Sequence, residues 1–438
     1  MKIIQTLLES ARENNQTKHW FSCFFILLTT CFFVGSSNIL FGAWPGKGSK
    51  YDWPQWRGPN RDGISKETGL LKNWPKAGPK VLWRIPFGDG FSGISVSQGR
   101  AYTMYAKRKD EYVVCLDAST GREIWRFRSG DNFSDWQGGN GPRSTPTVDG
   151  DLVFVLGAFG KLYALNPING QKIWGYDLIK EFGSRRPQWG YATSPLVEGG
   201  LLLVETGGKA GNSIVAFNKQ SGRVVWQALS DIPGYSSPIA ITVHGIRQII
   251  FFTGMALVSV SPTNGKLYWK HTWRTDWDVN AATPVFIPND KVFISSGYGK
   301  GAALFQIKVT NNQVRANPIW ESRAMKNHFG SSIFYEDHIY GFDNATLKCI
   351  EVSSGAEKWK QRGFGKGTLI LADGYLIVLS DRGKLALIQA TPTGYKEKAS
   401  AQVLRGKCWT IPTLANGKLY LRNQKEMLCL DFSGSAQL

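Results

Sequence analysis

With 438 residues, 42% of them hydrophobic, 49 glycines and 17 tryptophans, the chain can bury one large domain, and apolar residues follow a helical period almost nowhere after residue 20. That leaves an all-β domain behind a short leader. The formal net charge of +19 invites an acidic partner, yet lysines and arginines are scattered without a dense run and no nucleic-acid motif is present. Nucleic acid is therefore not the expected partner, whereas anionic envelope polymers or lipid headgroups stay open.

The first 19 residues carry Lys2, Arg12 and Lys18, and an uncharged run from Trp20 to Val34 follows, the pattern of an export signal. Gly35-Ser36-Ser37 offers a cleavage site, while the stretch from Trp20 to Phe41 is long enough to span a bilayer and Leu28-Thr29-Thr30-Cys31 loosely echoes a lipidation box. Residues 1–43 thus read as a signal peptide or an N-terminal membrane anchor. Each version predicts an extracytoplasmic protein, in the periplasm or cell envelope. Residues 44–80 hold Trp53, Trp56, Trp74 and several prolines, too aromatic for a flexible linker. This lead segment is expected to pack on the domain, with Arg57, Arg61 and Asp62 docking structurally rather than binding a ligand.

From residue 81 one phrase recurs. VVCLDASTGREIW (113–125), LYALNPINGQKIW (162–174), IVAFNKQSGRVVW (214–226), LVSVSPTNGKLYW (257–269) and LKCIEVSSGAEKW (347–359) each place a small residue six before a glycine and a tryptophan four after it. Each copy reads as a hairpin whose turn glycine accepts positive φ. Two further strand-like runs separate the copies, and the anchor tryptophans 83, 125, 174, 226, 269, 320 and 359 lie 39 to 52 residues apart. Four strands at that period predict the blades of a β-propeller. Six blades end at Trp125, Trp174, Trp226, Trp269, Trp320 and Trp359. A seventh without tryptophan runs from Gly367 to about Val403, and an eighth joins the C-terminal strands to residues 81–85 with Trp83. The predicted fold is an eight-bladed propeller over residues 81–438, with seven blades as the alternative.

These offsets resemble the tryptophan-docking motif of the quinoprotein, or PQQ-like, eight-bladed propellers. That superfamily contains quinone-dependent dehydrogenases and non-catalytic scaffolds such as BamB, the propeller lipoprotein of the outer-membrane assembly machine. DWPQWRGPNRDGIS (52–65), GPRSTP (141–146) and GYGKGAAL (297–304) look similar to secreted PQQ-like repeat proteins common in planctomycetes. The resemblance implies either a scaffold or a dehydrogenase holding PQQ beside calcium.

Of six cysteines, Cys23 and Cys31 lie in the leader, while Cys115, Cys349 and Cys429 occupy the small-residue slot of the repeat. Equivalent slots on neighbouring blades stand about 10 Å apart, beyond disulfide reach, so free packing thiols are expected. Chemistry is sought at the axis, where residues before each blade's first strand converge. Ser/Thr-Pro at 145–146, 194–195, 237–238 and 283–284, with Ile411-Pro412, marks those starts. Upstream stand Asn140, Arg143, Trp189, Tyr191, Tyr235, Asp278 and Asn280, with His328 and Trp409 from later blades. Arg143, Trp189, Tyr191, Asn280, His328 and Trp409 form the candidate axial pocket, suited to a flat or anionic small molecule or filled by its own side chains.

Three functions follow: a non-catalytic scaffold binding envelope proteins, a PQQ-dependent dehydrogenase, or a carbohydrate or polyanion binder. No glutamate stands before a blade, and the adjacent-cysteine disulfide of quinone alcohol dehydrogenases is missing. The sequence therefore favours the scaffold, with no cofactor.

Overall fold

The computed structural model describes residues 48–434; the leader with Cys23 and Cys31 lies outside them. Eight sheets follow in chain order, each built of antiparallel strands with the blade's first strand at one edge, except in blade 7. Blades 2 to 6 are contiguous, from Thr147–Asp149 through Glu357–Gln361, and blade 1 spans Ser95–Ser97 to Glu123–Asp131. Blade 8 combines Thr413–Ala415, Lys418–Arg422 and Glu426–Asp431 with Val81–Pro86, so both ends of the domain share one ladder. Eight blades replace the seven-blade alternative. The expectation of four strands everywhere needs one correction, because Ile64–Ser65 pairs in parallel with Leu371 and Ala372 on the inner edge of blade 7, making it five-stranded.

Each feature of the repeated phrase has one physical cause. The turn residue before the glycine by four caps the hairpin: Gly170 N–H donates to Asn166 O at 2.8 Å, and Asn166 Oδ1 accepts Ile168 N–H at 2.8 Å. The small residue faces the tryptophan directly across the hairpin, as in Cys115 with Trp125, Ala164 with Trp174, Ala216 with Trp226 and Cys349 with Trp359. A larger side chain there would push the indole off the sheet. The indole then crosses to the next blade. Trp174 donates to Lys219 O at 3.0 Å and covers Gly222, where a Cβ would meet its ring at 2.7 Å and φ is +73°. Trp83, Trp125, Trp226, Trp320 and Trp359 reach Ala118 O, Pro167 O, Pro262 O, Val352 O and Thr391 O in the same way. Trp269 departs, donating to Gln248 Oε1 of its own blade, because the outer hairpin of blade 5 runs long through Gly301–Thr310 and Gln313–Ser322 and brings no glycine turn to it.

The lead segment replaces the missing tryptophan between blades 7 and 8. Trp74 packs edge-on to Phe432 with centroids 5.6 Å apart and Gly78 lies against Ala401, while Arg84, on the outer strand of blade 8, donates to Val403 O at 3.1 Å. Cys115, Cys349, Cys408 and Cys429 are free and buried, and burial pushes their thiols up to about 11 or 12, leaving them protonated and inert.

Candidate functional site

The Ser/Thr of each Ser/Thr-Pro pair does more than precede a strand. Thr145 Oγ accepts Gly93 N–H at 2.9 Å, Ser194 Oγ accepts Thr145 N–H at 2.9 Å, Ser237 Oγ accepts Ser194 N–H at 2.9 Å, and Ser331 Oγ accepts Thr283 N–H at 2.9 Å. These bonds form a partial belt around the axis, joining blades 1 to 4 in series and blade 5 to blade 6. At Thr283 the hydroxyl accepts the indole N–H of Trp56 at 2.8 Å instead, which fixes that ring across the channel.

Below Trp56 the lead segment stoppers the channel with two arginines, 1% and 2% exposed. Arg61 donates to Ser194 O at 3.1 Å, to Pro238 O at 3.0 Å and to Pro195 O; Arg57 donates to Ser332 O and Asp62 O at 2.7 Å each. Gly63 is required by this knot: φ is +79° and a Cβ would lie 2.9 Å from the Arg57 guanidinium. Burial pulls both guanidinium groups down, to about 10 for Arg57 and about 9 for Arg61, so both stay charged at neutral pH. Their charges are solvated by main-chain carbonyl dipoles of blades 3, 4 and 6, with Asp62 near Arg57 as the countercharge, which makes the plug a clamp.

Above Trp56 lies a cavity of ≈ 340 Å³. Its wall follows one rule of register. In each blade the first-strand residue that pairs, through the second strand, with the small-residue slot sits four positions after a residue lining the cavity. Those eight residues, from blade 1 to blade 8, are Phe91, Arg143, Ala192, Tyr235, Ala281, Phe329, Lys366 and Trp409, and all eight line it. Trp189, Tyr298, His328 and Gln137 form the upper wall.

Arg143 donates to Gly139 O at 2.7 Å and Gly141 O at 2.5 Å, with its guanidinium 4.8 Å from the Phe133 ring centroid. Burial pulls it down to about 10, so it keeps its charge. Lys407 Nζ lies 4.3 Å from the Trp409 ring centroid, and the Lys366 amine is lowered by burial. The imidazole of His328 stacks on Tyr298 with centroids 5.0 Å apart, and burial, followed by the charge of Lys366, pulls it down to about 4. It is a neutral ring at physiological pH.

Of the six residues picked from the sequence, the structure brings Arg143, Trp189, His328 and Trp409 around this cavity. Tyr191 and Asn280 turn the other way. Tyr191 is buried in the blade and donates its hydroxyl to Thr206 O at 2.9 Å. Asn280 is buried too, its amide donating to Thr253 O at 2.8 Å and Trp273 O at 3.0 Å while its oxygen accepts from Ser296 at 2.8 Å. Both stand one position before the funnel-facing one. Sequence reasoning missed Phe91, Phe329 and Lys366, whose blades start without the proline that marks the others.

The quinone cofactor implied by the family resemblance needs calcium in a shell of hard oxygens that includes carboxylates. No aspartate or glutamate lines the cavity, and Arg143 and Lys366 stand in its wall. Asp278, the one carboxylate that the sequence offered, is not among the lining residues, and the described residues contain no cluster of three or more His, Cys, Asp or Glu able to hold a metal. The donor set does not fit the calcium-bound quinone.

A ring of eight blades locked by indoles, with a floored aromatic funnel on its axis, defines a PQQ-like repeat propeller. The chain belongs to the family described as outer membrane protein assembly factor BamB, whose model matches residues 109–361, more than half of the sequence. It is 26% identical over 345 residues to the outer membrane protein assembly factor BamB of Burkholderia pseudomallei, covering 73% of this chain and 80% of that one. It is 25% identical over 265 residues to tetrathionate hydrolase of Acidithiobacillus ferrooxidans, covering 50% of this chain and spanning only 46% of that enzyme. In fold it is similar to the crystal structure of BamB from Moraxella catarrhalis, with a TM-score of 0.57, 14% identity, and coverage of 83% of this chain and 100% of that one.

Proposed function

We propose that this protein is a non-catalytic scaffold of the cell envelope, working outside the cytoplasm and holding proteins that take part in outer-membrane protein assembly. The observation that carries the reading is the funnel: an open, aromatic and cationic mouth, without a carboxylate in its lining, above a channel stoppered by Arg57 and Arg61. A lining without aspartate or glutamate, which offers no carboxylate to ligate a metal or act as general acid or base, supports a binding role over a catalytic one. Membership of the BamB family supplies the setting.

Site-specific photo-crosslinking in the native host tests this. A photo-reactive residue at Gln137 or Trp277, on loops at the funnel mouth, is expected to trap outer-membrane assembly proteins. One at Val225, exposed on the outer strand of blade 3, is the control. If none of the loop positions trapped an envelope protein, the scaffold reading would fall.

A further inference from the structure

The eight funnel residues are unequal in size, and the inequality shapes the site. At this register position blades 3 and 5 place only Ala192 and Ala281 on either side of Tyr235, while Trp189, Val279 and Tyr298 line the cavity from the same blades. Four blades away, across the axis, stand Lys366 on blade 7 and Phe91 on blade 1. Lys407 joins them, its amine over the Trp409 ring. The cavity is therefore an uneven slot, with short side chains flanking Tyr235 on one side and Lys366 among Phe91, Phe329 and Trp409 on the other, and Arg143 at its flank.

The surface continues beyond the cavity. Trp136 is 92% exposed and Trp277 66% exposed, each within two residues of the cavity lining at Gln137 and Val279. Tryptophan left this bare loses the burial that normally holds it, and Trp277 is also kept at φ +66°, a conformation that is strained for a non-glycine residue. A molecule that only filled the slot would leave both indoles in water. An extended polypeptide would cover them, and buried tryptophans are the residues that most often dominate a protein interface.

Charge decides the occupant's chemistry. Asp135 is spent capping its own loop through Gln137 N–H at 2.9 Å and Gly138 N–H at 3.1 Å. Asp276 and Asp278 flank Trp277, and neither is among the residues lining the cavity. The charged residues lining the slot are Arg143 and Lys366, Lys407 lies beside it with its amine over the Trp409 ring, and His328 is neutral.

We infer that the funnel docks an extended segment of a partner protein carrying a carboxylate side chain beside an aromatic one. The carboxylate meets Arg143, Lys366 and Lys407, the aromatic ring enters the recess over Ala192 and Ala281, and the flanking chain covers Trp136 and Trp277. This deepens the scaffold reading, on which it rests, by naming the docking face and the partner's chemistry.

The test titrates the purified propeller by tryptophan fluorescence with three probes: an acetylated, amidated hexapeptide of sequence Gly-Glu-Phe-Glu-Phe-Gly, the same peptide with lysine for glutamate, and isophthalate as a small flat dicarboxylate. Only the acidic peptide is expected to bind well, with Kd raised about tenfold by Lys366→Glu and by Lys407→Glu and about fivefold by Trp277→Ala. Circular dichroism melts of the three variants show that the fold is kept; two separate lysine variants guard against one of them misfolding. Equal binding of the lysine peptide, or indifference to both lysine variants, overturns the inference. Isophthalate binding as tightly as the peptide and unaffected by Trp277→Ala also overturns it, in favour of a small-molecule pocket. Crosslinks to envelope proteins that persist in Lys366→Glu would leave the scaffold reading standing while this inference fails.

Discussion

Replacing Trp174 by alanine isolates what locks one blade to the next. The indole is 9% exposed, stacks on Phe217 with centroids 5.9 Å apart, touches Phe154 at 5.9 Å and donates to Lys219 O at 3.0 Å. Truncating a buried aromatic costs about 3 to 5 kcal/mol, transfer and cavity together. Loss of the hydrogen bond adds about 1 kcal/mol at most, because Lys219 O lies in a turn that water can reach once the ring is gone. Packing therefore outweighs the hydrogen bond. Trp174→Phe, which keeps a ring but loses the donor, should cost about 1 to 2 kcal/mol. Equilibrium urea unfolding followed by far-ultraviolet circular dichroism measures both, with Trp136→Ala, at an exposed indole, expected within about 0.5 kcal/mol of the parent. A Trp174→Ala cost no larger than that of Trp136→Ala would refute inter-blade docking as the source of stability.

Arg61→Met removes the guanidinium from the channel and strands the carbonyls of Ser194 and Pro238, leaving Pro195 O with the Thr147 hydroxyl, so urea unfolding should show a loss of about 3 kcal/mol or more; a loss under about 1 kcal/mol would mean that the plug is not a clamp. Burial pushes the Glu205 carboxyl up to about 8, and its unfolded value is 4.5. Between those values the folded state holds a proton that the unfolded chain has released, so stability falls as pH rises through this window, by up to about 1.4 kcal/mol per pH unit. Glu205→Gln should flatten that slope, and an unchanged slope would mean that Glu205 is ionised when folded. Alkylation without reductant, after denaturation, should label Cys115, Cys349, Cys408 and Cys429, as read by mass spectrometry; a disulfide between repeat slots would contradict the blade register.

The fold was legible because each repeated residue type answers to one contact: small residue to indole, glycine to the next blade's indole, Asx or Ser to the turn. Blade number followed from the tryptophans and from the split eighth sheet. The fifth strand of blade 7 was not legible, since Ile64–Ser65 is two residues long and carries no alternation. For the site, proline marked where most blades begin but not which neighbouring side chain faces the axis. Tyr191 and Asn280 were therefore misplaced by one position. Counting from Cys115, Ala164 or Cys349 through their strand partners fixes that phase, and it also finds Phe91 and Phe329; Lys366 stays hidden because the slot of blade 7 holds Leu387 rather than a small residue. The belt hydroxyls and the Trp56 floor depend on contacts between segments far apart in sequence, such as Trp56 with Thr283, and no local pattern announces them.

The central claim is that the axial site binds without catalysing. Incubating the purified protein with PQQ and calcium, removing the excess, and recording both the absorbance spectrum and dye reduction with alcohols or aldoses tests it most directly. A cationic wall without carboxylates predicts no stoichiometric calcium-bound quinone and no dye reduction. One bound quinone per chain with substrate-dependent dye reduction would contradict the account.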